Sequence, residues 1–169
     1  MKKIIFISAT SNTNLSLAKT LLKFVDNRTY DLVLLNLEEY NLPIYNPSTY
    51  LKDKNKIINL ISKLTELIVS GDAFIICAPE YNGNVPPVFS NAIAWISTMT
   101  DYWKDAFKNK NAFVASSSGG DAENYQIAMK NQLKHIGCNV FDKTIIINNS
   151  KPIEENIAKN HINQFIKLL

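Results

Sequence analysis

Ala78-Pro79-Glu80-Tyr81-Asn82-Gly83-Asn84-Val85-Pro86-Pro87 is the stretch whose reading decides the fold. Directly before it runs Ala73-Phe74-Ile75-Ile76-Cys77, an unbroken apolar segment of strand length. Such a run is expected of a strand buried on both faces. After it, Val88-Phe89-Ser90-Asn91-Ala92-Ile93-Ala94-Trp95 reads as a helix entered through Pro87, because proline suits the first helical turn. A strand that empties into a loop punctuated by Pro and Gly, and then re-enters a helix, sets that loop at the carboxyl edge of a sheet. Ligands of open α/β sheets bind at that edge.

The same unit recurs along the chain. Ile4 to Ile7 is an apolar run, followed by Ser8-Ala9-Thr10-Ser11-Asn12-Thr13-Asn14, after which Leu15, Leu17, Ala18, Leu21, Leu22 and Val25 recur at helical spacing. In a strand–loop–helix of this kind, loop amides and a helix N-terminus offer a cluster of N–H donors to an anion. Ser, Thr and Asn are also ordinary helix caps, but this run of small polar residues is longer than one cap requires. It contains no glycine, so it is neither a P-loop nor a dinucleotide fingerprint.

Tyr30 to Leu37 reads as a second strand, and Ile57, Ile58, Ile61, Leu64, Leu67 and Ile68 mark an amphipathic helix closed by Ser70-Gly71 as a C-cap. Ala112 to Ala115 reads as a fourth strand with the polar exit Ser116-Ser117-Ser118-Gly119-Gly120. The helix that follows is expected from about residue 122 to 136, with Asp121 as its N-cap. Val140 to Ile147 supplies a fifth strand, and residues 153–169 a last helix. Five strands alternating with five helical patterns, without repeats or low-complexity linkers, predict one doubly wound parallel α/β domain over residues 1–169. The helix after Pro87 carries apolar residues on more than one side, which predicts a second buried surface and hence an oligomer.

Composition narrows the function classes. Apolar residues make up 46% of the 169 residues and charged residues 20%, which suggests neither a disordered chain nor a membrane protein. The N-terminal apolar run is too short for a signal peptide, so a cytoplasmic protein is expected. Net charge is only +3, with a single arginine, Arg28, and nucleic-acid binding wants a clustered basic face. Cys77 and Cys138 read as buried free thiols. His135 and His161 are isolated and read as surface residues, and no His or Cys cluster has metal-ligand spacing. No Gly-x-Ser-x-Gly elbow is present, and Glu80 has no evident partner for acid–base work.

Pro79-Glu80-Tyr81-Asn82-Gly83, Pro86, Asn91-Ala92-Ile93 and Trp95 together resemble the signature of the NADPH-dependent FMN reductase family, which includes quinone, azo-dye and chromate reductases. The segment Ser8 to Thr13 is similar to the FMN-phosphate loop of flavodoxins, and Asn14 to Ala18 to the Asn-x-x-Leu-Ala of the reductases. Leu42-Pro43-x-Tyr45-Asn46 also resembles the family. The resemblance implies a flavodoxin-like fold with strand order β2-β1-β3-β4-β5. In that order the Ser8 and Pro79 loops face each other at the switch point.

What the resemblance implies for the site is an FMN cradle in three parts. Ser8, Thr10, Ser11, Asn12, Thr13, Asn14 and Leu15 would bind the phosphate and ribityl chain. Pro79, Glu80, Tyr81, Asn82 and Gly83 would pack along the flavin ring, and Ser116, Ser117, Ser118, Gly119 and Gly120 would close the other side. The implied activity passes hydride from NADPH or NADH, through bound FMN, to a quinone, azo compound, metal oxyanion or free flavin. No side chain need be a covalent catalyst, since the cofactor carries the chemistry. A homodimer or homotetramer is also implied. The chain departs from the family by lacking its Gly-Ser-x-Arg opening, with Ser11 or a neighbour where the arginine would stand. That removes a charge-assisted phosphate contact and leaves the choice of nicotinamide open. Two other readings share the fold: a flavodoxin-type electron carrier, commonly strongly acidic and without the Pro-Glu-Tyr-Asn-Gly run, and a non-enzymatic FMN-binding or regulatory protein.

Overall fold

The computed structural model describes the backbone of residues 1–169 and all side chains except those of residues 49, 51–54 and 56. The chain runs β1 (Lys3–Ser8), α1 (Thr13–Leu22), β2 (Asp31–Asn36), α2 (Pro47–Ser70), β3 (Ala73–Cys77), α3 (Pro87–Ser97), β4 (Asn111–Ser117), α4 (Glu123–His135), β5 (Asn139–Ile147) and α5 (Glu155–Ile166). The five strands form one sheet in the order β2-β1-β3-β4-β5. Every pairing is parallel, with Ile5 beside Val33 on one side and Phe74 on the other. The expected flavodoxin-like topology is therefore present, with its switch point between β1 and β3.

Period-two alternation along the strands divides the core into two layers. Ile5, Ile7, Phe74, Ile76 and Val114 face α2, α3 and α4, where Leu64, Ile68, Phe89, Ile93, Tyr125 and Met129 meet them. Ile4, Phe6, Ile75, Cys77 and Phe113 face α1 and α5, packing on Leu17, Leu21, Ile162 and Phe165. All five residues of β3 are fully buried. That is why its sequence is continuously apolar rather than alternating.

The structure differs from local expectation in three places. First, α2 begins at Pro47, well ahead of Ile57, where the apolar periodicity starts. Second, Gly71 does not end α2 in a left-handed turn, since its φ is not positive. A Cβ there would lie 2.7 Å from Ile5 Cδ1, so this glycine serves close helix–sheet approach. The left-handed glycine cap is instead Gly137, at φ +97° after α4. The Gly137 N–H donates to the Lys134 carbonyl and the Cys138 N–H to that of Leu133, the paired bonds of a Schellman motif.

Third, Asp121 does not cap α4. The residue before the helix is Ala122, itself left-handed at φ +49°, and no side chain at that position caps the helix. The second apolar side of α3 packs on this chain's own 42–45 segment. Trp95 is 1% exposed, meets the Tyr45 ring edge-on at 5.0 Å, and donates from Nε1 to the Pro43 carbonyl at 2.7 Å. Asn91 holds the same segment, accepting from the Tyr45 N–H at 2.8 Å and donating to the Pro43 carbonyl at 3.0 Å. Among the described residues, no helix is long and apolar enough to cross a membrane.

Candidate cofactor site

The exits of β1, β3, β4 and β5 enclose a cleft of about 800 Å³ at the carboxyl edge of the sheet. From the first loop Thr10, Asn12, Thr13 and Asn14 line it; from the second, Pro79, Glu80 and Tyr81; from the third, Ser117, Ser118 and Gly119. Seven of the expected site residues do not line this cleft: Ser8, Ser11, Leu15, Asn82, Gly83, Ser116 and Gly120. The fourth wall is Ile147, Asn148, Asn149, Pro152 and Ile153, which the sequence reading did not place in a site. Its signal was the same as for the other loops, a strand exit, but the residues there are plain turn formers. Asn148 makes that turn, its side-chain Oδ1 accepting from the Ser150 and Lys151 N–H groups.

The first loop is built to present donors. Asn12 stands at the N-cap of α1 yet makes no side-chain capping bond, so the residue that would end the helix locally leaves its first-turn amides to something else. An anion there is favoured by the helix dipole and by those N–H groups together. Ser8 is fully buried and donates to the Thr10 carbonyl at 2.7 Å, which folds the loop back on its own strand.

Asn14 is 1% exposed and bonds the backbone of Ser117 at both ends, Nδ2 to the carbonyl at 2.8 Å and Oδ1 from the N–H at 2.9 Å. It ties the first loop to the third across the cleft floor. The Ser11 N–H donates to the Glu38 carboxylate. Hydrogen bonding from Ser11 holds the Glu38 carboxyl below the usual carboxylate range.

The second loop is a tight hairpin. Tyr81 and Asn84 exchange backbone bonds in both directions, and the two residues between them, Asn82 and Gly83, sit at φ +52° and +71°. Two consecutive left-handed residues make a type I′ turn, for which Asn-Gly is the favoured pair. The turn lifts Tyr81, 50% exposed, to the rim of the cleft. Glu80 binds on both sides: its N–H donates to Ser118 Oγ at 2.8 Å, and its carboxylate accepts from the Tyr125 N–H at 3.0 Å. A carboxylate from another loop thus caps α4, the role Asp121 was expected to fill. Ser118 Oγ is also 2.8 Å from the buried Ser116 Oγ.

Gly119 and Gly120 have neither positive φ nor any neighbour that an added Cβ would meet. Neither turn geometry nor packing within the chain demands glycine at these positions, which leaves room for a ligand to approach the backbone.

Other ionisable groups stand away from this chemistry. Burial pushes the Cys77 thiol up and that of Cys138 up to about 12, so both are inert at neutral pH. The His135 ring lies tilted against Trp103, with centroids 5.2 Å apart. His161 is half-buried rather than on the surface, and its Nδ1 has no hydrogen-bond partner among the described residues.

With this geometry in view, likeness to known proteins is informative. The profile of the NADPH-dependent FMN reductase family matches residues 2–152. The chain belongs to that family, a family of NAD(P)H-dependent oxidoreductases. A curated relative, the NADH:(hydroxy)cinnamate reductase subunit CrdA of Vibrio ruber, is 28% identical over 111 residues, 65% of this chain and 51% of that one. The chain thus spans about half the length of this relative.

Among solved structures, the flavoenzyme NAD(P)H:(acceptor) oxidoreductase FerB of Paracoccus denitrificans superposes with a TM-score of 0.76 at 23% identity, covering 99% of this chain and 96% of that one. The apo form of the NADH:FMN oxidoreductase EmoB gives 0.73 at 15% identity over 100% and 90% of the two chains. An azoreductase of Bacillus anthracis gives 0.67 at 15% over 99% and 98%. These likenesses carry the fold.

Proposed function

We propose that this protein binds FMN in the cleft and uses it to pass hydride from NADH or NADPH to a small acceptor of the quinone, azo, metal-oxyanion or free-flavin type. The observation that carries this reading is the uncapped N-terminus of α1. A polar loop long enough to cap the helix does not do so, and its residues line the cleft instead. The rest of the lining suits a flavin, with hydroxyls and amides from Thr10, Asn12 and Thr13 on the side of β1 and the apolar Ile147, Pro152 and Ile153 on the side of β5.

When bound, FMN supplies the redox chemistry, accepting and then donating hydride. The chain supplies position. Thr10, Asn12, Thr13 and the first amides of α1 would hold the phosphate by neutral donors and the helix dipole. Asn14 and Glu80 brace the loops from behind, and Tyr81 borders the rim where nicotinamide and acceptor would take turns. The buried thiols accord with a cytoplasmic setting.

The visible spectrum of the protein, after FMN is added and the excess removed, tests this. Flavin bands that bleach with NADH or NADPH are the expected result. Bands that ignore both nucleotides would make the protein an electron carrier, and a colourless protein would sink the cofactor assignment.

A homodimer or homotetramer is part of the same proposal. The groove between the 37–45 segment and α3, about 540 Å³, is lined by Leu42, Ile44, Tyr45, Val88 and Ala94, with Ile44 80% exposed. An apolar side chain so exposed beside a groove is what a second copy would cover. Sedimentation at micromolar concentration should show at least a dimer, and Ile44→Glu should shift it towards monomer. A wild-type monomer would refute the assignment.

A further inference from the structure

The anion-binding loop of this chain already holds an anion of its own. Ser11 lies between Thr10 and Asn12, both of which line the cleft, and its N–H donates to Oε2 of Glu38 at 2.5 Å. This contact is framed by a buried side chain. Asn36, at the end of β2, donates from Nδ2 to Ser11 Oγ at 3.0 Å and to Glu39 Oε1 at 2.9 Å, while its Oδ1 accepts from the Glu38 N–H at 3.3 Å. One asparagine therefore orients both partners of the contact. Glu38 is exposed, and no ion pair to it is formed among the described residues. Among the described residues, a full negative charge thus sits, uncompensated by a cation, on a donor of the loop that would receive a phosphate.

We propose that Glu38 is a specificity-determining residue for the phosphate of the flavin, occupying the Ser11 N–H so that a phosphate gains this donor only by displacing the carboxylate. The inference rests on the reading that the cleft binds FMN. A hydrogen bond to a charged acceptor is stronger than one to a neutral acceptor, so displacement costs more for a carboxylate than for an amide. Charge repulsion adds to that cost, reduced by solvent and salt at this exposed position. Riboflavin lacks the phosphate and is indifferent to both effects. Glu38 thereby lowers the discrimination between FMN and riboflavin.

The test titrates wild type and Glu38→Gln with FMN and with riboflavin, following flavin fluorescence. The expected result is an FMN Kd lower by about fivefold in the variant, a riboflavin Kd unchanged within about twofold, and a gain that shrinks as salt rises. Equal shifts for both flavins, or weaker FMN binding, would overturn the proposal and make Glu38 a loop-ordering residue. Should wild type bind neither flavin, the FMN reading itself falls. A titration of the Ser11 amide resonance with inorganic phosphate then decides on Glu38 alone. A lower midpoint in Glu38→Gln supports competition, and an unchanged midpoint refutes it.

Discussion

Asn14→Ala should cost about 2 kcal/mol of stability and weaken FMN binding by more than about tenfold. The side chain bonds the N–H and the carbonyl of Ser117, a residue 103 positions away in sequence. Removing the amide leaves both groups of Ser117 without this partner at a part-buried position. A net bond is worth about 1 kcal/mol, and an orphaned backbone group costs more than that. The affinity loss follows from position rather than contact strength, because Asn14 fixes the spacing of two loops that line the same cleft. Urea unfolding and flavin fluorescence read the two effects separately. Lost stability with unchanged FMN affinity would show that the loops keep their spacing without this tie.

Asn14→Asp sharpens the argument because its effect should depend on pH. A protonated carboxyl can still donate to the Ser117 carbonyl, whereas a carboxylate faces that carbonyl with a lone pair. Burial and the carbonyl favour the protonated form, the α1 dipole and the Ser117 N–H the ionised one. With burial near complete the first pair should win, giving a folded pKa above the unfolded value of about 3.9. The unfolded chain then ionises first as pH rises, and stability falls between the two pKa values before levelling off. The variant should be near wild type at about pH 4 and clearly weaker at neutrality. A cost independent of pH would mean that the carboxyl has swung away from Ser117.

Much of this was legible locally, because a doubly wound sheet writes itself as apolar runs separated by helical periodicity. β3 is continuously apolar because helices cover both its faces. Asn82-Gly83 reads directly as a turn because two left-handed residues admit few alternatives. The contacts that were missed join residues far apart in sequence. Asp121 is the obvious cap for α4, but left-handed Ala122 separates it from the helix, and Glu80 reaches the Tyr125 N–H from another loop. The Ser11–Glu38 bond and the β5 wall of the cleft are likewise set by which strands lie adjacent, which local patterns do not record. The motif around Trp95 shows the opposite case. Its residues are legible as a signature, while their physical work depends on the 42–45 segment lying on α3.

That work predicts a large stability effect. Trp95→Ala should cost about 3–5 kcal/mol, a large fraction of the roughly 5–15 kcal/mol that a domain possesses. The indole is 1% exposed and sits against Tyr45, so its removal opens a cavity between α3 and the segment leading into α2. Trp95→Phe separates bulk from bonding. It keeps an aromatic ring but loses the 2.7 Å bond from Nε1 to the Pro43 carbonyl. That carbonyl still accepts from Asn91 Nδ2 at 3.0 Å, so it is not orphaned. The loss should be about 1 kcal/mol for the bond, plus a smaller packing deficit. Urea midpoints should order wild type, Trp95→Phe and Trp95→Ala, with m-values unchanged if unfolding stays two-state. FMN affinity should move little in Trp95→Phe, because neither Trp95 nor Pro43 lines the cleft. If Trp95→Phe cost as much as Trp95→Ala, the hydrogen bond rather than the packed ring would be what holds this segment on the helix.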